Sequence, residues 1–269
     1  MSLFVALRKL LAEPRLEHVD INSDQLLDIH RQILMEKPMM RNVFREFYNM
    51  CISKDNRCFT AEGSRVELGA GVSFFKELHP EIVSTDIKSS PWLDRILDAQ
   101  EMDLPDDSVR AFYAINCFHH LPDADRFFQE MLRTLRPGGG CVLIEPYHGP
   151  VASRFYERIF DSETFDKSQA DWKYEVRGVM DGANQALSYI VFKRDLNIFI
   201  DKYPQFEVVE QRVIPNYLRY LLSGGLNFRQ LMPSFLEPVI RLFEFVLTPL
   251  HPVLGLHHCI IIRKRLNHQ

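Results

Sequence analysis

None of the five cysteines, Cys51, Cys58, Cys117, Cys141 and Cys259, stands in a Cys-x-x-Cys pair, and their number is odd. That argues against a disulfide framework and a structural zinc site, and it fits a reducing cytoplasm. No run reaches the roughly 18 consecutive apolar residues of a membrane-spanning helix. The nearest approach, Phe235 to Leu256, is interrupted by charges and prolines. The first twenty residues lack the unbroken apolar stretch and small-residue cleavage site of a signal peptide. There is no excess of positive charge: 32 basic against 36 acidic residues give a net charge of −4. A protein that binds nucleic acid mainly by neutralising phosphates is therefore not expected. Internal repeats and low-complexity tracts are also missing. What is left is ordinary globular composition, 46% hydrophobic and 25% charged over 269 residues, enough for one large domain or a domain with a substantial cap.

Residues 1–60 read as helical. The segment DQLLDIHRQILM spaces Leu26, Leu27, Ile29, Ile33 and Leu34 as one helix face would, and KPMMRNVFREFYNMCI does the same with Met39, Val43, Phe44 and Phe47 behind Pro38. No strand pattern occurs there, which suggests an N-terminal helical cap. From about Ser64 short apolar runs alternate with helical stretches. RVEL, EIVSTDI, VRAFYAINCF and GCVLIEPY read as strands, and a short strand is expected just before Asp98. ADRFFQEMLRTL reads as a helix with Asp123 as its N-cap and Pro137-Gly138 past its end. FEVVEQRVI and LHHCIIIRK supply two late strands. The expectation is an α/β fold: a Rossmann-like, seven-stranded, mostly parallel sheet with helices on both faces. Four segments follow: the cap (1–60), the core (61–150), an inserted lid and helix (151–204), and the strands and helices that complete the sheet (205–269). ALSYIVFKRDLNIFIDKY reads as one helix, and FLEPVIRLFEFVLTPL as a helical stretch packed in the core, with peripheral membrane contact as the other reading.

Four motifs carry chemistry. ELGAGVS, Glu67 to Ser73, is a strand ending in Gly-x-Gly that should open a helix and let backbone approach a ligand closely. Phe74 stands where a dinucleotide-binding loop needs a further glycine, which argues against NAD. Asp86 ends the next strand, where a carboxylate can take both hydroxyls of a ribose; a solvated loop aspartate is the competing reading. In ILDAQEMDLPDDSV, Asp98 can accept from an adenine amino group while the next N–H donates to the ring, although taken by itself this segment reads better as a polar surface loop. In AINCFHHLPD, Asn116 lies where a buried strand emerges at its carboxyl end, the ligand edge of an open α/β sheet. His119 and His120 are adjacent and should point apart, about 100° on a helix, which makes them poor joint metal ligands; no metal is expected.

The order ELGAGVS, STDI, DAQEMDLPDDSV, AINCFHHLPD and EMLRTLRPGGGCVLIEP resembles the class I S-adenosylmethionine-dependent methyltransferases, in the type 11 methyltransferase-domain group. The resemblance spans roughly residues 64 to 147. It implies S-adenosyl-L-methionine as cofactor. Glu67, Gly69, Ala70 and Gly71 would meet its methionine end, Asp86 with Ile87 its ribose, Asp98 and Ala99 its adenine, and Asn116 would lie beside the methionine part. The chain departs from the family pattern at Ser73, where many members have a third glycine.

The enzyme implied is a methyltransferase for a small molecule, most often methylating oxygen. Its base would be His148, which lies just past the strand GCVLIEPY with an ordinary pKa of about 6.5, and a loop histidine with no catalytic duty is an equal reading. His119 is the second candidate, and Glu145 can orient either histidine. Cys117 reads as a buried small hydrophobe, and His257 and His258 as structural. Phe155, Tyr156, Phe160, Phe165, Trp172 and Tyr174, with Phe44, Phe47 and Tyr48, would form a lid over an apolar or aromatic acceptor, or else cement the cap to the sheet. Two other readings stay open: a catalytically degenerate methyltransferase fold serving as a binding or scaffold subunit, and an NAD-dependent oxidoreductase. The oligomeric state is not legible.

Overall fold

The computed structural model describes residues 8–20, 23–159, 163–175 and 183–266. Seven strands form one sheet: β1 (Ser64–Leu68), β2 (Ile82–Asp86), β3 (Arg95–Ile96), β4 (Val109–Ile115), β5 (Leu135–Pro146), β6 (Phe206–Val213) and β7 (His257–Lys264). Their order is β3-β2-β1-β4-β5-β7-β6. The first five run parallel, and β7 is antiparallel to both β5 and β6. The order reverses between β1 and β4, so the crevice for a ligand opens at the carboxyl ends of those two strands.

Strand side chains alternate between two cores, as period-2 burial on both faces requires. Phe112, Ala114, Cys141, Leu143, Ile260 and Ile262 face one core. Ala111, Tyr113, Val142, Ile144, Cys259 and Ile261 face the other. The N-terminal helices are α1 (Asp24–Glu36) and α2 (Pro38–Cys58). α2 covers the second face, its Met40, Val43, Phe47, Tyr48 and Cys51 sharing that core. The fully buried Asp55 fixes it there: the carboxylate accepts Arg65 Nε at 2.7 Å, Arg110 Nε at 2.8 Å and the Tyr113 hydroxyl at 2.6 Å. Beyond the glycine turn only a four-residue helix, α3 (Phe75–Leu78), forms. The first face is covered by α4 (Ala124–Thr134), capped by Asp123, whose carboxylate accepts the Asp125 and Arg126 N–H groups. α5 (Pro150–Ile159), α6 (Leu196–Lys202), α7 (Tyr217–Ser223) and α8 (Glu237–Val246) follow.

Several expectations are corrected here. Residues 186–203 are not one helix: a short turn at Leu187–Tyr189 runs into a π-turn at Ile190–Arg194 and breaks at Asp195 before α6. Asp195 is held out of the helix because its carboxylate takes Trp172 Nε1 at 2.9 Å and the Arg194 guanidinium at 2.7 Å. The stretch around α8 is inverted relative to core packing. Its buried members are Glu237, Ile240 and Glu244, while Leu242, Phe243, Phe245 and Val246 are exposed. The cause is Arg219 on α7, whose buried guanidinium pairs with Glu244 at 2.7 Å and with Glu237 and Glu46. The aromatics assigned to one lid lie on opposite faces of the sheet. Phe155, Tyr156, Phe165 and Trp172 join the first core, and Phe44, Phe47 and Tyr48 the second. Phe160 lies outside the described residues. Among the described residues no helix is long and apolar enough to cross a membrane.

Candidate active site

The site has two edges. The first is the turn after β1. Gly69 and Gly71 hold φ of +61° and +51°, the left-handed region that glycine enters without penalty. The two glycines serve different neighbours. A Cβ on Gly69 would overlap the Cys117 thiol, so Gly69 lets the ends of β1 and β4 approach each other. A Cβ on Gly71 would meet only the Gly69 carbonyl oxygen, at 4.0 Å, so its outer side is open. Asp86, at the end of β2, accepts the Gly71 N–H at 2.8 Å and the Lys88 N–H at 2.9 Å, one on each carboxylate oxygen. Each oxygen keeps a further acceptor position. Ile87 is exposed beside it. The Ala70 N–H is taken by the Thr85 carbonyl at 2.9 Å. Two residues that sequence reasoning passed over fix this turn from outside. Trp92 Nε1 donates to the Gly71 carbonyl at 2.7 Å. Arg31, from α1, donates to the Val72 carbonyl at 2.9 Å and to that of Ser73, pairs with Glu77, and lies 5.2 Å from the Trp92 ring centre. The only available signal was that Trp92, one of two tryptophans, sits in a polar loop.

Ser73 replaces the third glycine with a working hydroxyl: it bonds the Tyr48 hydroxyl at 3.0 Å and accepts the Phe75 N–H at 3.0 Å. Glu67 is buried beneath the turn and accepts the Ser84 hydroxyl at 3.0 Å. Burial pushes its carboxyl up to about 7, against the opposing pull of the Ser73 and Ser84 hydroxyls. Asp98 closes its own turn by accepting the Gln100 N–H at 2.8 Å, and Ala99 beside it is buried.

The second edge follows β4 and β5. Asn116 has φ +50°, an uncommon conformation for a residue other than glycine and one that concentrates at functional sites. Its side-chain oxygen is buried without a partner, an acceptor left for a ligand. Cys117 lies past the strand rather than within it, and is half-buried. Burial first, then nearby carboxylates, push its thiol well above the ordinary value, so it is not poised as a nucleophile. Glu145, fully buried near the end of β5, accepts the Cys117 N–H at 3.0 Å, the Phe118 N–H at 2.9 Å and His119 Nδ1 at 2.6 Å. Of the two histidines it was expected to orient, it is bonded to His119.

His119 and His120 do not point apart. They sit on a 3₁₀ turn with ring centres 4.3 Å apart, and both face Glu163. Burial alone would lower the His119 pKa, but the Glu145 and Glu163 carboxylates raise it to about 10. Burial and the neighbouring His119 lower His120 to about 4. His148 is packed against Tyr147, Tyr189 and His258, with Nδ1 buried and unpartnered. Burial, then Lys167 and Lys193, lower it to about 4, which keeps it neutral but makes it a weaker base than an ordinary imidazole. His257 rests between Phe47 and Tyr220, and His258 bonds the Ser188 hydroxyl at 2.9 Å. Glu163, and Gln185 that donates to it, were missed because nothing in their local sequence marks them.

A model of the methyltransferase-domain family matches residues 69–143. The chain carries a methyltransferase domain. Within that domain lie the glycine turn, Asp86, Asp98, Asn116, His119 and His120; Glu145, His148 and Glu163 lie beyond it. A methyltransferase of Streptomyces halstedii, GfsG, is 36% identical over 69 residues, which are 24% of this chain and 25% of that protein. The geranyl diphosphate C-methyltransferase of Streptomyces coelicolor, solved with magnesium, geranyl diphosphate and S-adenosyl-L-homocysteine, superposes with a TM-score of 0.53. The identity is 12%, over 96% of this chain and 87% of that one. A phosphoethanolamine N-methyltransferase of Haemonchus contortus, solved with S-adenosyl-L-methionine, gives a TM-score of 0.45 at 12% identity, over 81% of this chain and 53% of that one. The residues that match the methyltransferase-domain model thus lie in a sheet that shares the fold of that C-methyltransferase.

Proposed function

We propose that the chain transfers a methyl group from S-adenosyl-L-methionine to a small acceptor at the crevice between β1 and β4. The observation that carries this reading is the open outer side of Gly71 beside a carboxylate with free acceptor positions and an unpartnered buried Asn116 oxygen, all inside the domain match. The residues present fit the cofactor. Asp86, with Ile87 beside it, would hold the ribose; Asp98 and Ala99 the adenine; Glu67, Gly69, Ala70, Gly71 and Asn116 the methionine part. When bound, the cofactor supplies a methyl group on a sulfonium leaving group.

The chain's own part is to align the acceptor and take its proton. On oxygen, methylation releases a hydroxyl proton, and His148, just past β5 with its Nδ1 unpartnered, is the candidate to receive it, although its lowered pKa makes it a weaker base than an ordinary imidazole. His119 is held by Glu145 at Nδ1 and turns Nε2 toward Glu163. The apolar or aromatic acceptor is supported by the rings of Tyr147, Tyr189 and Tyr156 near the β5 end. The exposed outer face of α8 supports peripheral membrane contact.

The test is a thermal-shift titration with S-adenosyl-L-homocysteine and with NAD on wild type and Asp86→Ala. At about a hundred times its dissociation constant a ligand stabilises by roughly 2.7 kcal/mol, several degrees at this size. The expected result is a rise with S-adenosyl-L-homocysteine alone, with affinity cut about 10- to 150-fold in Asp86→Ala, since a charged hydrogen bond contributes about 1.5–3 kcal/mol. A rise with neither ligand sinks the reading and favours a binding subunit. A rise with NAD alone means an oxidoreductase.

A further inference from the structure

We infer that His119, His120 and Glu163 form a binding site for a divalent transition-metal ion of the zinc type. Their ligand atoms all lie within 4.8 Å of one another. His119 Nε2 is 3.7 Å from one Glu163 oxygen, and His120 Nε2 is 3.8 Å from the other. Bonds of about 2.0–2.2 Å to a tetrahedral ion place neighbouring ligand atoms roughly 3.4 Å apart, so from separations within 4.8 Å the groups need close by about 1.4 Å at most.

Two independent features set this cluster apart from a chance meeting of polar side chains. The first is Glu145. It is fully buried, and its oxygen lies 2.6 Å from His119 Nδ1. This bond fixes the ring so that Nε2 faces Glu163. A carboxylate behind a histidine is the usual outer support of a metal ligand; it sets the tautomer and raises ligand basicity. The second is Gln185, whose amide donates to Glu163 and steadies the other end of the set. Glu145 is in turn fixed by the Cys117 and Phe118 N–H groups, so the support is tied to the backbone at the carboxyl end of β4.

Two imidazoles and one carboxylate favour zinc, cobalt, manganese or ferrous iron over magnesium and calcium, which prefer oxygen ligands. Three protein ligands leave a fourth position open, the arrangement of reactive rather than purely structural sites. An acceptor oxygen would fit that position; this use of the site rests on the transfer reading above, whereas the site itself does not.

The test starts from chelator-treated protein dialysed against zinc, with metal per chain read by atomic emission, and from cobalt titration read by the visible bands of a tetrahedral ion. Magnesium is the control. The expected result is one zinc per chain, tetrahedral cobalt bands, and no uptake of magnesium. Glu163→Gln and His120→Asn should each abolish the bands. Glu145→Gln, which removes no ligand, should weaken cobalt binding about 10- to 100-fold. S-adenosyl-L-homocysteine thermal shifts run on the same samples report folding and the cofactor site separately. No zinc or cobalt uptake by wild type overturns the site, as does equal uptake by Glu163→Gln and His120→Asn, and a retained ligand shift leaves the transfer reading standing. Metal binding without a ligand shift upholds the site and sinks the transfer reading.

Discussion

The two edges of the crevice are built by opposite means. The edge after β1 is made of backbone: two glycines in left-handed conformation, an aspartate that closes on the Gly71 N–H, and carbonyls gripped by Trp92 and Arg31. The edge after β4 and β5 is made of side chains drawn from distant parts of the chain, Glu145, His119, His120, Glu163 and Gln185. The backbone edge tolerates no added atom where it meets its neighbour strand, at Gly69, and leaves room on its outer side, at Gly71. A side-chain edge depends on the pairs it makes, because buried polar groups are costly when a partner is removed.

The largest expected effect lies on the side-chain edge. Glu145→Ala leaves the Cys117 and Phe118 N–H groups and His119 Nδ1 without their acceptor inside the protein. Breaking a buried pair of this kind costs about 3–5 kcal/mol, and urea melts should show that loss with an unchanged slope. A loss under about 1 kcal/mol would mean that water reaches these groups and that the edge is not the closed network described here.

On the backbone edge the corresponding experiment is Gly69→Ala. It combines left-handed strain of about 1–2 kcal/mol with overlap of the Cys117 thiol, a further 1–3 kcal/mol or so. Cys117→Gly in the same chain should recover the steric part and leave the strain. If the double variant is no better than the single, the approach of β1 to β4 is not what selects glycine there.

The same contrast explains which parts were legible. Strand alternation, the helix capped by Asp123 and the turn from Glu67 to Ser73 are local patterns, each written in a few adjacent residues, and the sheet follows from them. The acceptor edge is not local. Glu163 reaches His119 only after the chain has crossed β5 and α5, and no spacing rule marks it. Periodicity also misleads where one charge dominates packing. Arg219 draws Glu237 and Glu244 inward and turns the apolar side of α8 outward, against the core-packed reading. A geometric rule for adjacent histidines fails in the same way: it assumes regular helix or strand, and the 3₁₀ turn at Phe118–His120 is neither.

Glu67 allows a pH test of the buried floor between the edges. Its carboxyl is raised from 4.5 to about 7. Below pH 4.5 both folded and unfolded chains hold the proton, and the residue contributes no pH-dependence. Between 4.5 and 7 the unfolded chain loses the proton while the folded chain keeps it, so stability falls as pH rises, and above 7 the penalty is constant. At about 1.36 kcal/mol per pH unit the full difference is about 3 kcal/mol. Glu67→Gln removes the slope, so the variant should gain on wild type across that window. Equal pH profiles would show that Glu67 is solvated and ordinary.

The smallest stability effect and the sharpest separation of the edges belong to Gly71→Ala. Its φ of +51° carries left-handed strain of about 1 kcal/mol, but the added Cβ enters open space and meets nothing closer than 4.0 Å. The fold should therefore lose little in melting temperature, far less than in Gly69→Ala. Ligand binding should respond in the reverse order, because the methyl group occupies the side from which a bound molecule reaches the turn. Thermal shifts with S-adenosyl-L-homocysteine on both variants read the two quantities at once. A Gly71→Ala protein that keeps the full ligand shift would place the ligand elsewhere along the crevice and leave both glycines with the purely steric role that Gly69 has.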